Sequence, residues 1–368
     1  MSRRPFKIYR GLIPLAYLYG LGVSLRNRLF DHGILTSRSF PLPVICIGNI
    51  SVGGTGKTPH TEYLIRLLRK SFRIAVLSRG YKRKSKGFVL AQPDTPIEAI
   101  GDEPFQMSRK FPDICVAVDS DRCHGIRQLT DGHTVSGVEV ILLDDAFQHR
   151  YVKPGLNILL IDYHRPIYQD KLLPAGRLRE APSGKERADI LIVSKCPPDL
   201  DAESRQRFRN ELSPLSHQSL YFTTLAYGKL RPLFAHTPER TLEELAPDEH
   251  LLVVTGIASP APLLEELSRH TRHVYPLTFG DHHNFNGTDL RRIEETFLHL
   301  PGMRKSIVTT EKDAARLIAH PQLSESLKPY FHVLPVEVRF LNHEEESFNH
   351  QIIAYVRKNS RNSRLSEG

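Results

Sequence analysis

A glycine-rich segment with a lysine and a threonine is the first part of this sequence that could do chemistry. Residues 48–59 read G-N-I-S-V-G-G-T-G-K-T-P. In the phosphate-loop pattern G-x-x-x-x-G-K-[ST], backbone N–H groups surround phosphates, the lysine reaches the β- and γ-phosphates, and the hydroxyl binds Mg²⁺. Ser51 replaces the first glycine, a position that mainly closes the loop, so a small residue is acceptable there. We predict nucleotide binding by Ser51, Val52, Gly53, Gly54, Thr55, Gly56, Lys57 and Thr58.

Two adjacent aspartates, Asp144 and Asp145, follow the apolar run V-E-V-I-L-L. Ligands of open parallel sheets bind at the carboxyl ends of the strands, and a phosphate-loop enzyme needs an acidic residue there to hold Mg²⁺. Aspartate is also a good helix cap, but two carboxylates followed by A-F-Q-H-R favour a metal site. We predict Mg²⁺ binding by Thr58, Asp144, Asp145 and Gln148.

The elements that would position these residues are short apolar runs separated by helix-like stretches. Leu42–Gly48 is predicted to be a buried strand that enters the loop, and Pro59–Lys70 a helix that leaves it. Continuous apolar strands divided by helices predict a mostly parallel sheet covered on both faces. Further strands are predicted at residues 74–78, 114–118, 138–143, 156–161 and 190–193, a second α/β set at 251–309, and a helix at 344–358.

The predicted fold class is α/β, with a P-loop NTPase-like three-layer α/β/α domain at residues 31–155. A second, smaller α/β lobe is expected at 156–340, and an N-terminal interfacial helix at 1–30. Residues 11–25 carry no charge and have basic flanks, but fifteen residues are fewer than the ~20 that span a bilayer. We predict an amphipathic helix on an anionic membrane surface. The alternative is a helix packed on the main domain.

The composition is that of a soluble globular protein, since 40% of the 368 residues are hydrophobic and 25% are charged. The net charge of +9 favours an anionic partner. The basic residues are scattered and no aromatic RNA-binding motif accompanies them, so we expect no nucleic acid partner. The four cysteines form no C-x-x-C pair and no Cys/His metal spacing, and we expect reduced, mostly buried thiols.

A nucleotide-switch GTPase of the SIMIBI type is the main alternative, because such proteins share G-G-T-G-K-T-P. Guanine recognition usually needs [NT]-K-x-D after a later strand. Residues 194–197 read S-K-C-P, so Pro197 stands where an aspartate would accept the guanine hydrogen bonds. An adenine nucleotide is therefore favoured.

Seven motifs together resemble the tetraacyldisaccharide 4′-kinase family, the lipid A kinases of Gram-negative bacteria. The resemblance extends over nearly the whole chain, and the family's own loop carries serine at the position of Ser51. Ala146 departs from the commoner form D-D-G-F-Q. The motifs are N-I-S-V-G-G-T-G-K-T-P (49–59), S-R-G-Y (78–81), G-D-E-P (101–104), D-D-A-F-Q-H-R (144–150), L-P-A-G-R-L-R-E (173–180), F-G-D-H-H (279–283) and T-E-K-D-A (310–314).

The resemblance implies ATP-dependent phosphorylation of the 4′-hydroxyl of a tetraacyldisaccharide 1-phosphate, which forms lipid IVA in lipid A biosynthesis. It implies ATP as co-substrate, Mg²⁺, an acylated disaccharide lipid as acceptor, and a monotopic enzyme on the anionic cytoplasmic face of the inner membrane. It also implies a hinge that lets the second lobe close over the active site, with a C-terminal helix at about 342–358 packed back on the first lobe. We expect no obligate protein partner.

The resemblance also implies roles for single residues. Asp102 is expected to be the base that takes the proton of the sugar hydroxyl, with His282 orienting or tuning it. Lys57 and Arg122 are expected to stabilise charge on the γ-phosphate. Without the resemblance, a turn would be the favoured explanation of Asp102 and a surface histidine that of His282. An exposed ion pair is the alternative for Arg179 and Glu180. The residues expected to bind the acceptor are Asn49, Arg79, Tyr81, Glu103, His149, Arg179 and Glu180.

Overall fold

Short runs rich in valine, isoleucine and leucine form the strands of two sheets. The structure is a computed structural model and describes residues 8–234, 238–257, 259–281, 283–318, 320 and 322–365. The strands are β1 (Val44–Gly48), β2 (Ile74–Ser78), β3 (Val89–Leu90), β4 (Cys115–Val118), β5 (Val140–Asp144), β6 (Leu156–Asp162), β7 (Ile190–Ser194), β8 (Ser219–Tyr227), β9 (Arg231–Pro232), β10 (His250–Thr255), β11 (His273–Thr278), β12 (Lys305–Thr310), β13 (Phe331–Leu334) and β14 (Val336–Phe340).

Helices occupy most connections between the parallel strands. The α-helices are α1 (Ile13–Asp31), α2 (Lys57–Leu68), α3 (Ile97–Ile100), α4 (Asp102–Lys110), α5 (Arg122–Thr130), α6 (Ala202–Leu212), α7 (Ala261–Leu267), α8 (Gly287–His299), α9 (Glu311–Leu317) and α10 (Glu345–Leu365). The helix after the phosphate loop begins at Lys57, two residues before the predicted start at Pro59. Proline is tolerated there because the first N–H groups of a helix have no intrahelical acceptor.

The chain divides into two units and passes between them four times. Unit 1 comprises Met1–Thr95, Lys110–Leu225 and Val338–Gly368, and unit 2 comprises Pro96–Arg109 and Ala226–Glu337.

Unit 1 contains a nine-stranded sheet with the order β14-β8-β7-β6-β1-β5-β2-β4-β3. Strand β1 pairs in parallel with both β5 and β6. Because β1 and β5 are parallel neighbours, the phosphate loop after β1 and the two aspartates at the end of β5 lie at the same end of the strands. Every residue of these two strands is buried, as expected for a sheet covered by helices on both faces.

The first unit extends beyond residue 155, where the sequence placed a domain boundary. Strand β6 pairs with β1, β7 with β6, and β8 with β7, all in parallel. Residues 156–225 therefore continue the phosphate-loop sheet. Helix α10 also packs on unit 1, since the Tyr355 hydroxyl donates to the Val44 carbonyl at 3.1 Å and the Tyr221 hydroxyl donates to Gln351 at 2.9 Å.

Unit 2 contains a five-stranded sheet with the order β11-β10-β12-β13-β9, in which β9 is antiparallel to β13 and the other pairs are parallel. Leu251 and Val253 of β10 pack in one apolar cluster, and Leu252 and Val254 pack in another. Alternation along a strand points side chains to opposite faces, so both faces of this sheet are covered. The second set of α/β elements predicted from the sequence is therefore present.

Candidate active site

The phosphate loop follows β1 and ends at the N-terminus of α2. Gly53 and Gly56 have φ of 122° and 82°, values that side chains disfavour. Apart from Gly54 itself and its chain neighbours, no heavy atom of the described residues lies within 4 Å of the place where a Cβ on Gly54 would stand, so a ligand can approach this backbone closely. The N–H groups of the first turn and the helix dipole favour an anion at the start of α2.

Ser51 joins the loop to the L-P-A-G-R-L-R-E segment. It forms an antiparallel bridge with Leu178, and the N–H of Val52 donates to the Arg177 carbonyl at 2.7 Å. Ser51 is buried. A small residue suits this position because a neighbouring backbone runs beside it.

Asn49 supports the loop through two side-chain hydrogen bonds. Its Nδ2 donates to Thr55 Oγ1 at 2.9 Å, and its Oδ1 accepts from Lys57 Nζ at 3.4 Å. The side chain is fully buried. These contacts give Asn49 a supporting role in the loop, and its contact with the acceptor stays a prediction.

His60 is a further support that the sequence analysis did not identify. Its Nδ1 lies 2.7 Å from the Gly56 carbonyl and its Nε2 lies 3.0 Å from Thr223 Oγ1. A carbonyl only accepts, so Nδ1 carries the proton and Nε2 accepts from the threonine hydroxyl. Burial lowers the pKa of His60 to about 4, against the opposing effect of the bond to Gly56. The ring is therefore neutral at neutral pH and ties the start of α2 to β8.

The two aspartates have different surroundings. Asp144 is buried and accepts from the hydroxyls of Thr61 at 3.1 Å and Ser78 at 3.4 Å. Asp145 Oδ1 lies 3.6 Å from Lys57 Nζ and 3.4 Å from Arg179 Nη1. The site thus combines a buried carboxylate held by hydroxyls with a second carboxylate between two cations.

Gln148 and Glu180 connect the loop to the L-R-E end of the neighbouring motif. Gln148 Nε2 donates to the Asn49 carbonyl at 2.7 Å and to Glu180 Oε1 at 2.9 Å, while its Oε1 accepts from Arg179 at 3.2 Å. The buried Glu180 also accepts from Arg187 at 2.7 Å. Both ends of the Gln148 amide therefore link these segments, and its contact with Mg²⁺ stays a prediction.

Arg122 and His149 carry buried nitrogens that lack a hydrogen-bond partner among the described residues, Nε of Arg122 and Nε2 of His149. Burial lowers the pKa of Arg122, and Arg79 acts in the same direction. Burial and the nearby Arg122 lower the pKa of His149 to about 4. Buried polar groups are usually satisfied, so these nitrogens are candidates for contacts with a bound ligand.

The S-R-G-Y motif begins at Ser78, the last residue of β2, and its Ser78 and Gly80 are buried. Arg79 and Tyr81 lie at the surface, and the Lys82 ammonium lies 5.5 Å from the centre of the Tyr81 ring. The electrostatic effect of Arg79 on both Arg122 and His149 places it in the same region of unit 1.

The G-D-E-P motif begins helix α4, which belongs to unit 2. Asp102 forms an ion pair with Arg316 of α9, and Glu103 Oε1 lies 3.8 Å from Lys312 Nζ. His282 lies outside the described residues. Its neighbour His283 has Nε2 2.8 Å from Asp289 Oδ2.

Helix α1 packs on unit 1 through one face only. The Tyr19 hydroxyl donates to the Arg179 carbonyl at 2.8 Å, and Asn27 Nδ2 donates to Glu180 at 3.3 Å. Packing on the main domain and binding to a membrane surface are therefore compatible, because the outward face of the helix carries exposed apolar side chains. These side chains are Leu15, Tyr17, Leu18, Leu21 and Leu25.

The four cysteines are free thiols, and three of them are buried, as expected from the sequence. Burial raises the pKa of Cys46 and of Cys196 to about 12. Thiols with such pKa values are poor nucleophiles. No helix in the described part of the chain is both long and apolar enough to cross a bilayer.

Comparison with known proteins identifies the family to which this site belongs. A family model described as LpxK, tetraacyldisaccharide-1-P 4′-kinase, matches residues 8–357. The chain belongs to this kinase family. Tetraacyldisaccharide 4′-kinase of Phocaeicola vulgatus is 59% identical over 366 residues, which cover 100% of both chains. The enzyme of that name from Bacteroides fragilis strain YCH46 is 55% identical over 370 residues, covering 100% of this chain and 98% of the relative.

The fold of this family member also agrees with a solved structure. LpxK from Aquifex aeolicus, in complex with ATP, is 29% identical, with a TM-score of 0.72 over 95% of this chain and 99% of that chain. The predicted α/β fold class is confirmed. The GTPase alternative is not favoured, and Lys195 of the S-K-C-P segment pairs with Asp162 at 2.8 Å.

Proposed function

We propose that this kinase transfers the γ-phosphoryl group of ATP to the 4′-hydroxyl of a tetraacyldisaccharide 1-phosphate, a step of Gram-negative lipid A biosynthesis. Membership of the family supports both donor and acceptor, and the A. aeolicus relative was solved with ATP. The observation that carries the proposal is the phosphate loop with Lys57 held between Asn49 and Asp145. In the transfer, the acceptor oxygen bonds to phosphorus, the bond from phosphorus to ADP breaks, and the hydroxyl proton passes to a base.

The phosphates of ATP are proposed to lie on the loop, where N–H groups and Lys57 face them. Positive charge at this position stabilises the transferring group when its charge spreads in the transition state. Arg122 is proposed to act with Lys57, since its buried Nε has no protein acceptor among the described residues. The proposed contacts are Ser51, Val52, Gly53, Gly54, Thr55, Gly56, Lys57 and Thr58.

Mg²⁺ is proposed to bind Thr58 and the Asp144–Asp145 pair. Mg²⁺ prefers oxygen ligands and usually takes one or two carboxylates together with substrate phosphates and water. A buried carboxylate beside the loop fits this preference, although no group of three or more His, Cys, Asp or Glu side chains forms a metal cluster within the described ranges. When bound, the ion would neutralise charge on the β- and γ-phosphates.

Asp102 is proposed to be the base that accepts the proton of the 4′-hydroxyl. It stands at the N-terminus of α4, where it forms an ion pair with Arg316. His282 is retained as its proposed partner from the family resemblance. His149, Arg79, Tyr81, Arg179 and Glu103 are retained as proposed contacts of the acceptor.

Helix α1 is proposed to hold the kinase at the cytoplasmic face of the inner membrane, where an acylated acceptor would be found. Its exposed leucines and Tyr17 would enter the lipid interface. Arginines at positions 10, 26 and 28 flank the apolar run, and basic residues are attracted to anionic lipid headgroups.

The test is a transfer assay with radiolabelled ATP, Mg²⁺ and the disaccharide 1-phosphate in detergent micelles. Labelled lipid is expected with the wild-type chain. Lys57→Ala is expected to slow transfer by at least about 10²-fold, because charge stabilisation at the phosphates is lost. The matched control is Lys70→Ala, an exposed lysine just beyond α2, which should leave the rate unchanged. Equal rates for wild type and Lys57→Ala would refute the assignment of the loop.

A further inference from the structure

Arg316 of α9 is a buried cation in unit 2 that lies outside every motif identified in the sequence. Its Nε donates to Asp102 Oδ1 at 3.3 Å, and its Nη2 donates to Asp102 Oδ2. Both carboxylate oxygens are therefore engaged by one guanidinium group. This two-point geometry fixes the direction of a carboxylate as well as its charge.

Arg316 is itself held in place from two other segments. Its Nη1 donates to the His283 carbonyl at 3.2 Å and lies 3.5 Å from Asp313 Oδ1. Asp313 is fully buried and accepts from the N–H of Gly256 at 2.9 Å and from the Thr310 hydroxyl at 2.7 Å. The guanidinium is thus fixed against the F-G-D-H-H segment and the start of α9.

Lys312 makes a parallel but weaker connection one turn earlier on α9. Its Nζ lies 3.8 Å from both Glu103 Oε1 and Asp281 Oδ1. At these distances and with partial exposure, each ion pair is worth little. Arg316, whose side chain is 4% exposed, is therefore the stronger of the two links between α9 and G-D-E-P.

We propose that Arg316 is the positioning residue of Asp102, an inference that rests on the proposed role of Asp102 as the base. By binding both oxygens, Arg316 holds the carboxylate in one orientation, in which it can accept the proton of the hydroxyl. The buried Asp313 fixes the position of the guanidinium group. The T-E-K-D-A motif then has a purpose beyond helix capping, since it supplies the support on which this arrangement depends.

The variants to compare are Arg316→Lys, Arg316→Ala, Asp102→Asn and the two double variants with Asp102→Asn. Misplacement of a catalytic group by about 1 Å costs about 10²-fold, so Arg316→Ala should lower kcat by about that factor. KM for both substrates and the Kd of ATP should stay within about 3-fold, since the loss concerns the transition state. Arg316→Lys should recover part of the rate, because it restores charge but not two-point binding.

The double variants decide whether Arg316 acts through Asp102. With Asp102→Asn already present, changing Arg316 should cause no more than about a 2-fold further loss of kcat, because coupled residues are not additive. Arg269→Lys, in an exposed arginine–carboxylate pair of the same unit, is the matched control and should be neutral. Circular dichroism melting identifies any variant that fails to fold, and Arg316→Lys then carries the comparison.

Two results would overturn the inference and can be told apart. In the first, Asp102→Asn alone lowers kcat and the double variants lose kcat by the product of the two single effects. This result would leave the base assignment standing and refute positioning by Arg316. A normal kcat in Asp102→Asn would refute the base assignment, and with it the inference.

Discussion

Asn49 and His60 show that the phosphate loop depends on residues that a loop pattern does not contain. Asn49 bonds to Thr55 and to the lysine of the loop, and His60 bonds to the Gly56 carbonyl. The pattern identifies the groups that face phosphate because they are consecutive in sequence. The residues that support them are near the loop in sequence, but their contacts depend on the folded path of the chain, so the pattern alone does not reveal them.

Replacing Asn49 by alanine should weaken ATP binding more than it slows the chemical step. The change removes the fully buried amide of Asn49, which bonds to Lys57 and Thr55. A buried hydrogen-bonding group left without its partner costs about 1–3 kcal/mol. Calorimetric titration measures the Kd of ATP, and single-turnover transfer measures the rate of the chemical step. An unchanged Kd for ATP would contradict the supporting role.

Replacing Asp102 by asparagine should lower kcat by about 10²–10⁴-fold, the range for a general base. ATP affinity should be nearly unchanged. Single-turnover rates and equilibrium binding of ATP separate the two quantities. Asp94→Asn, at an exposed aspartate, is the control. A loss confined to ATP affinity would move Asp102 from catalysis to binding.

At the scale of elements, the strands and the helix that carry the phosphate loop and the aspartates were largely predictable. β1, α2, β2 and β5 were expected within two residues of their observed bounds because long apolar runs and helical spacing are strong signals. The unit to which α4 belongs was not predictable. It lies between two strands of unit 1 in the sequence, yet its contacts place it in unit 2.

Helix α1 yields a prediction at this scale. The double variant Leu18→Glu with Leu21→Glu should reduce binding to anionic vesicles strongly, because it puts charge on a face where these leucines are 66% and 68% exposed. Leu298→Glu on α8 changes a leucine that is 64% exposed in the other unit and should bind vesicles as the wild type does. Sedimentation with liposomes measures the bound fraction. Equal binding by all three proteins would exclude α1 as the membrane contact.

At the scale of the whole molecule, the division into units was the least predictable feature. Residues 156–225 continue the first sheet through parallel pairing with β1. Long polar segments separate these strands in sequence, and pairing between distant strands leaves little local trace. The existence of a second α/β set was predictable, whereas its first residue was not.

Stability of the folded molecule should fall as pH decreases from about 6.5 towards 4. Burial lowers the pKa of His60 from 6.5 to about 4, so the unfolded chain binds the proton more readily than the folded one in this range. The contribution of His60 to the free energy of unfolding is complete above the pKa of this residue in the unfolded chain. It is lost as pH falls through its pKa in the folded chain, and it amounts to about 3 kcal/mol at most. Denaturant midpoints at several pH values should show a weaker pH dependence for His60→Asn than for wild type. The exposed His217→Asn control should follow wild type, and identical pH dependence in all three would contradict the role of His60.

The position of the transferred phosphate is the most direct test of the proposed function. The wild-type chain would be incubated with ATP, Mg²⁺ and the tetraacyldisaccharide 1-phosphate, and the lipid product analysed by phosphorus NMR. We predict one new phosphate monoester at the 4′ carbon, with ADP released in equal amount. ATP hydrolysis without a lipid product, or phosphate at another hydroxyl, would contradict the account.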